Sequence, residues 1–296
     1  MKLELKNIYK SFGTKDVLKG ISLTAESGKA FGYLGRNGAG KTTTIRILMN
    51  VFGSDGGEIL VDSKPIDHNQ IGIGYLPEER GLYPKKIIIE QLVYFAMLKG
   101  MNKKDATAAC DKWLKRLEMD EYRNRRLDTL SKGNQQKIQL VTALAHNPDI
   151  VVLDEPFSGL DPVNALLLKD IVKEEIERGK IVLFSSHQMN YIEEFCDDIA
   201  ILNGGKVVLE GNLAEIKRNH VRDKLVVRSP QQTEIARAYS ELCSEAEDGS
   251  LIVRMKNESD KAQLMQELAG RYDIDELKVY EPSLNDIFVE YAASHI

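Results

Sequence analysis

The chain has 296 residues, 43% hydrophobic and 29% charged, with a formal net charge of −5. These values describe a globular protein of one or two domains and exclude a disordered or collagen-like chain. So small an acidic excess gives no global case for nucleic acid as a partner, and none is expected. The basic group Arg123, Arg125 and Arg126 reads as a solvated helix end or loop.

Lys2 to Ile8 alternates polar and apolar residues, and Val17 to Thr24 does so loosely, as half-buried strands do. Ala30 to Leu34 is a short apolar run that ends at a glycine-rich turn. Beyond the turn, Ile45, Leu48, Met49 and Phe52 recur at helical spacing and predict a helix over Thr42 to Phe52. Strands follow at Glu58 to Val61 and Ile71 to Leu76, and Ile88 to His146 is mostly helical. Ile150 to Leu153 and Ile181 to Phe184 are continuous apolar runs, expected of parallel strands buried on both faces, with a helix over Val163 to Glu177 between them. Near Gly211 the character changes. From Arg222 onward the pattern is strand (Lys224 to Arg228), helix (Gln231 to Cys243), strand (Ser250 to Met255) and helix (Asp260 to Tyr272). A strand at Glu276 to Tyr280 and a helix at Leu284 to Ala292, capped by Ser283, complete an α/β appendage.

Cys110, Cys196 and Cys243 are widely spaced, each in a stretch that reads as helix, and no CxxC occurs. Neither a disulfide framework nor a zinc site is indicated, and a reducing compartment fits. The N-terminus MKLELKNIYKSFG has no apolar leader core. The apolar stretch Ile87 to Leu98 is broken by Glu90 and Gln91, and no run approaches the roughly 18 residues of a spanning helix. A soluble protein is expected, touching a membrane only through a partner.

Gly35-Arg36-Asn37-Gly38-Ala39-Gly40-Lys41-Thr42 matches GxxxxGK[ST] in full, with an apolar strand before it and a periodic helix after it. Glycines let the backbone curl so that N–H groups face phosphate oxygens, and the helix start adds its positive dipole end. Lys41 supplies a cation to β and γ phosphates, and the Thr42 hydroxyl can ligate Mg²⁺. Alone, this loop does not separate a transporter ATPase from a kinase or a GTPase. The run Ile150 to Leu153 ends in Asp154-Glu155-Pro156, which places two carboxylates at the sheet edge where α/β proteins bind ligands. Asp154 would bind Mg²⁺, and Glu155 would act as general base on the attacking water.

Ser158-Gly159-Leu160-Asp161 follows, then Phe184-Ser185-Ser186-His187, while Leu130-Ser131-Lys132-Gly133-Asn134-Gln135-Gln136 lies upstream. With this ordered set the sequence resembles the nucleotide-binding subunits of ABC transporters. The resemblance implies an α/β fold: a P-loop NTPase core with a mixed sheet and an inserted helical subdomain at about 86–147. That nucleotide-binding domain would span 1–215, with a small C-terminal α/β domain over 216–296. It implies ATP and Mg²⁺ as ligands, with Gly35, Arg36, Asn37, Gly38, Ala39, Gly40, Lys41, Thr42 and Thr43 holding the phosphates. Glu155 and His187 are the implied catalytic pair, His187 as the switch histidine on the γ phosphate. Phe12 resembles the aromatic that stacks on adenine, with Tyr9 as the competing candidate. Ser131 and Gly133 resemble the signature that closes over the ATP of a second subunit, and Asp161 the acid that spans the dimer interface. The implied assembly is a homodimer or a pair of ATPase subunits on integral membrane permeases, cytoplasmic and peripheral on the inner face of the membrane.

Two positions depart from the commonest pattern. Lys132 and Asn134 replace Gly and Gln in the signature, which leaves Lys132 as either an extra phosphate contact or a bystander. Glu78, in Tyr75-Leu76-Pro77-Glu78-Glu79, stands where a Mg²⁺-touching glutamine is expected; a carboxylate still ligates Mg²⁺ but repels the γ phosphate. With the closing segment Glu281 to Glu290, these variants resemble a bacterial exporter branch that includes sodium-export-type ATP-binding proteins. The competing reading is a soluble ABC ATPase with a mechanical or regulatory role; the single phosphate loop and the lack of sustained heptads weigh against it.

Overall fold

A computed structural model describes the chain except residues 80, 158–159, 187, 221–222, 247, 256–259 and 294–296. The chain divides into two compact units: Met1–Leu213 joined by the segment from Phe288 onward, and Ala214–Ile287.

The first unit begins with β1 (Lys2–Phe12) and β2 (Lys15–Glu26), an antiparallel pair. Leu3 and Leu5 alternate inward, then Asn7 takes φ 51° and the pairing slips between Leu5 and Ile8. This bulge returns Ile8 to the core face, so one strand continues to Phe12 where alternation alone predicts an end at Ile8. β3 (Ala30–Gly35) is buried throughout and leads into α1 (Lys41–Leu48). The sequence predicts this helix to Phe52; it stops at Met49 because Asn50 adopts the left-handed conformation (φ 56°) that closes a helix end. Next come β4 (Gly56–Val61), β5 (Lys64–Pro65) and β6 (Ile73–Leu76).

Three helices follow: α2 (Ile88–Leu98), α3 (Lys103–Arg116) and α4 (Lys132–Leu144). They are inserted between β6 and β7 (Ile150–Asp154), which are neighbours in one parallel sheet. α5 (Pro162–Glu177), β8 (Ile181–Ser185), α6 (Met189–Phe195), β9 (Asp198–Asn203) and β10 (Lys206–Asn212) complete this succession. The large sheet has the order β10-β9-β3-β8-β7-β6, and the smaller antiparallel sheet β2-β1-β4-β5. Only β10 runs antiparallel in the large sheet, so it is mixed. One core joins both sheets to α1, through Leu3, Ile8 and Ile21 on one side, Tyr33, Val152 and Leu183 on the other, and Ile45 and Leu48. β7 and β8 are buried at every position, which is why they read as unbroken apolar runs.

α7 (Leu213–Asn219) leads toward the second unit, which holds β11 (Lys224–Arg228), α8 (Gln232–Ala238), β12 (Cys243–Glu245), β13 (Leu251–Arg254), α9 (Lys261–Arg271) and β14 (Glu276–Val279). Its antiparallel sheet, ordered β12-β13-β11-β14, packs Leu225, Val227, Leu251 and Val253 against Ile235 of α8 and Leu268 of α9. α10 (Leu284–Ala293) starts at a reciprocal cap: Asp286 N–H donates to Ser283 Oγ at 3.2 Å, and Ser283 N–H to the Asp286 carboxylate at 2.8 Å. The helical assignment of the three cysteines needs correction. Cys110 lies in α3, but Cys196 closes α6, and Cys243 opens β12 opposite Val253. The helix predicted over Gln231 to Cys243 ends early because a turn, Leu242 N–H to Tyr239 O at 2.8 Å, frees the chain to pair as a strand.

Candidate active site

After β3 the backbone turns through residues 36–40 before α1 begins. Gly38 and Gly40 hold φ of 83° and 113°, conformations that side chains with a Cβ rarely take. A Cβ at Gly40 would also sit 2.6 Å from Leu18 Cδ2, so that side chain would have to shift. The turn is also pinned from the core. The Tyr33 hydroxyl donates to Thr44 Oγ1 at 2.9 Å, and Thr44 Oγ1 donates to Gly40 O at 3.0 Å. Burial pushes the Tyr33 hydroxyl far above its ordinary range, so it stays a donor. The Lys41 amine donates to Gly35 O; burial lowers its pKa, and the carboxylates of Glu155, Asp154 and Glu78 oppose that shift.

Two buried carboxylates close β7, with Asp154 4% and Glu155 5% exposed. Burial raises the Asp154 pKa, a hydrogen bond with Ser185 opposes that, Glu78 and Glu155 add to the rise, and Lys41 opposes it. The Tyr75 hydroxyl lies 3.4 Å from Asp154 Oδ2. Glu155 takes the left-handed φ of 48°, its N–H donating to Ser185 O at 2.8 Å and its Oε2 accepting from Ser186 Oγ at 2.9 Å.

These residues meet in one cleft of about 650 Å³, whose walls carry Phe12, Arg36, Asn37, Gly38, Gly40, Lys41, Thr42, Thr43, Glu78, Asp154 and Glu155. Gly35 and Ala39 stand behind the wall: Ala39 is buried, and Gly35 offers its carbonyl to Lys41. Of the two aromatic candidates, Phe12 lines the cleft, half exposed and edge-on to Phe52 at 5.6 Å. Tyr9 instead packs over Gly20 and Gly56. Ser131, Gly133 and Asp161 are absent from these walls. Ser131 caps α4 by accepting from Asn134 N–H at 3.3 Å, and Lys132 is exposed in the first turn. Asp161 caps α5, accepting from Val163 and Asn164 N–H at 3.0 Å each, and the Asn164 bond leads in holding its carboxyl below the usual range. His187, with Ser158 and Gly159, lies outside the described residues.

Sequence reasoning missed Lys15 and Val17 on the cleft wall and the supports Tyr33, Thr44, Tyr75 and Ser186. The signal for the first two was the Gly13-Thr14 turn, which brings the start of β2 back beside Phe12.

Among the described residues, no group of three His, Cys, Asp or Glu side chains is placed to hold a metal by itself. The cleft does offer an all-oxygen set, the Thr42 hydroxyl with the Asp154 and Glu78 carboxylates. Such a set fits Mg²⁺, which keeps its waters and borrows oxygens from a phosphate substrate.

A family model described as ABC transporter matches residues 18–158, and one described as ATP-binding protein DrrA1-3-like, C-terminal domain, matches 211–292. The uncharacterized ABC transporter ATP-binding protein YhaQ of Bacillus subtilis (strain 168) is 41% identical over 291 residues, covering 97% of this chain and 97% of its own length. The Nod factor export ATP-binding protein I of Burkholderia lata is 32% identical over 213 residues, covering 71% of this chain and 70% of its own. A solved dimeric structure of MJ0796, a bacterial ABC transporter cassette, superposes with a TM-score of 0.64 at 26% identity, covering 71% of this chain and 98% of that one. The chain belongs to the ABC transporter ATP-binding proteins: it is an α/β P-loop ATPase that powers transport by ATP hydrolysis.

Proposed function

We propose that the cleft of about 650 Å³ binds MgATP and hydrolyses it to drive a separate permease in the export direction. The observation that carries this reading is the meeting of the glycine loop, Asp154, Glu155, Glu78 and Phe12 on one set of walls. Lys41 and the N–H groups of residues 36–43 take the β and γ phosphates, and Phe12 stacks on adenine. Thr42, Asp154 and Glu78 would hold Mg²⁺, which when bound neutralises charge on the phosphate oxygens. Glu155 takes the proton of the attacking water, and His187 contacts the γ phosphate.

Family members work as paired ATPase subunits on membrane permeases, and we assign the same arrangement to two copies of this chain. Ser131 and Gly133 of one copy then close over the cleft of the other, with Asp161 at the seam. Their placement at the starts of α4 and α5, off the walls of their own cleft, supports this, as does the dimeric cassette. Export is supported by the relative whose name describes an exporter. Of the limits read from the sequence, 1–215 and 216–296, we keep the first for nucleotide binding and end the accessory part at Ile287, because the segment from Phe288 groups with the first unit. The chain would act in the cytoplasm, on the inner face of the membrane through its permease; no helix among the described residues is long and apolar enough to cross one.

The test is Glu155→Gln. Loss of a general base costs about 10²–10⁴ in rate, so the variant should hold ATP without turnover and migrate as a dimer only when ATP is present. Wild-type turnover, or a monomer with ATP bound, would overturn the reading.

A further inference from the structure

We propose that Ser186 is a positioning residue for hydrolysis, one hydroxyl orienting the Glu155 carboxylate while it accepts from the Gln188 amide. The inference rests on the reading of Glu155 as general base.

Ser186 is 2% exposed and Glu155 5%, so the contact between them is shielded from water. Gln188 N–H donates to Ser186 Oγ at 3.0 Å. That bond occupies a lone pair of the hydroxyl and leaves its proton for Glu155 Oε2, at 2.9 Å. One oxygen therefore joins the Glu155 carboxylate to the Gln188 amide.

β7 and β8 pair in parallel with Asp154 opposite Ser185, and the next residues, Glu155 and Ser186, extend that match beyond the strand ends. Ser185 O holds the Glu155 N–H at 2.8 Å while Ser186 holds its side chain. Backbone and carboxylate of the base are thus both registered to the end of β8. Glu155 sits on a backbone at φ 48°, a sparsely populated conformation that persists only when its surroundings enforce it. Ser186 supplies part of that enforcement. A base must be held within hydrogen-bond reach of the water it activates, and small misplacement is expensive in rate.

The experiment compares Ser186→Ala and Ser186→Thr in the full chain, with Glu155→Gln beside them. A hydrogen bond to a charged group sets the scale, so Ser186→Ala should lower kcat by about 10–100-fold. Its KM for ATP should stay within about twofold of wild type, because the loss falls on the chemical step. Ser186→Thr, which keeps the hydroxyl, should recover most of kcat. In nucleotide-free protein, the Gln188 amide should lose hydrogen-exchange protection in the alanine variant and keep it in the threonine variant. A kcat for Ser186→Ala within about twofold of wild type would overturn the proposal. So would a kcat loss in both variants that tracks a lowered thermal midpoint. Wild-type turnover by Glu155→Gln would instead overturn the assignment of the base itself.

Discussion

Glu78 stands exposed on the cleft wall, one of three carboxylates gathered around Lys41 and Thr42. A glutamine there keeps an oxygen for Mg²⁺ and sheds a negative charge close to the γ phosphate, so Glu78→Gln should preserve steady-state ATP hydrolysis. Abolished turnover with normal nucleotide binding would count against that, and a phosphate-release assay with a binding titration checks it. At this scale the sequence disclosed whatever has a fixed local pattern. The glycine loop was complete in the eight residues Gly35 to Thr42, and the acids were marked by the apolar run before them. The choice between Tyr9 and Phe12 was illegible, because both are aromatic residues on β1; which of them lines the cleft depends on the bulge at Asn7 and the packing of Tyr9 over Gly20, neither of which leaves a sequence pattern. Ser186 was hidden for a different reason. Its partner is 31 positions away, and only the pairing of β7 with β8 joins them.

Strands and helices give the same lesson. β7 and β8 were legible because burial on both faces leaves an unbroken apolar run. The end of α1 and the start of β12 were not, since each depends on one turn, at Asn50 and at Tyr239–Leu242, rather than on periodicity. Close approach between elements leaves still less trace. Gly74 of β6 has backbone behind it: a Cβ there would lie 2.0 Å from Ala143 O of α4 and 2.8 Å from Pro148 Cγ. A backbone oxygen so placed cannot rotate aside as a side chain does. Gly74→Ala should therefore destabilise the fold by about 2 kcal/mol, in the range of overpacked cores. Urea denaturation checks this, and an unchanged midpoint would show that α4 slides freely over the sheet.

For the molecule as a whole, the clearest response to pH comes from His146, in the turn after α4. Its Nε2–H donates to Ile73 O at 3.3 Å, and its Nδ1 is buried without a partner among the described residues. Burial, with the nearby Lys99 cation adding, lowers its pKa from 6.5 to about 4. Between those values the unfolded chain takes up a proton that the folded one refuses, so stability falls as pH drops from 6.5 toward 4. Near pH 5 the loss from this one group is about 2 kcal/mol relative to neutrality. His146→Gln should remove that part of the slope in urea titrations run across the window, and an identical slope in both proteins would rule His146 out as its source.

The course of the chain between the two units has a practical result. It departs from the first unit after Leu213 and rejoins it at Phe288. The accessory unit is thus spliced into the ATPase, anchored at both ends instead of trailing from one. A stop codon after Leu213 would strip pieces from both units, and only an excision that reconnects the two anchor points removes one alone.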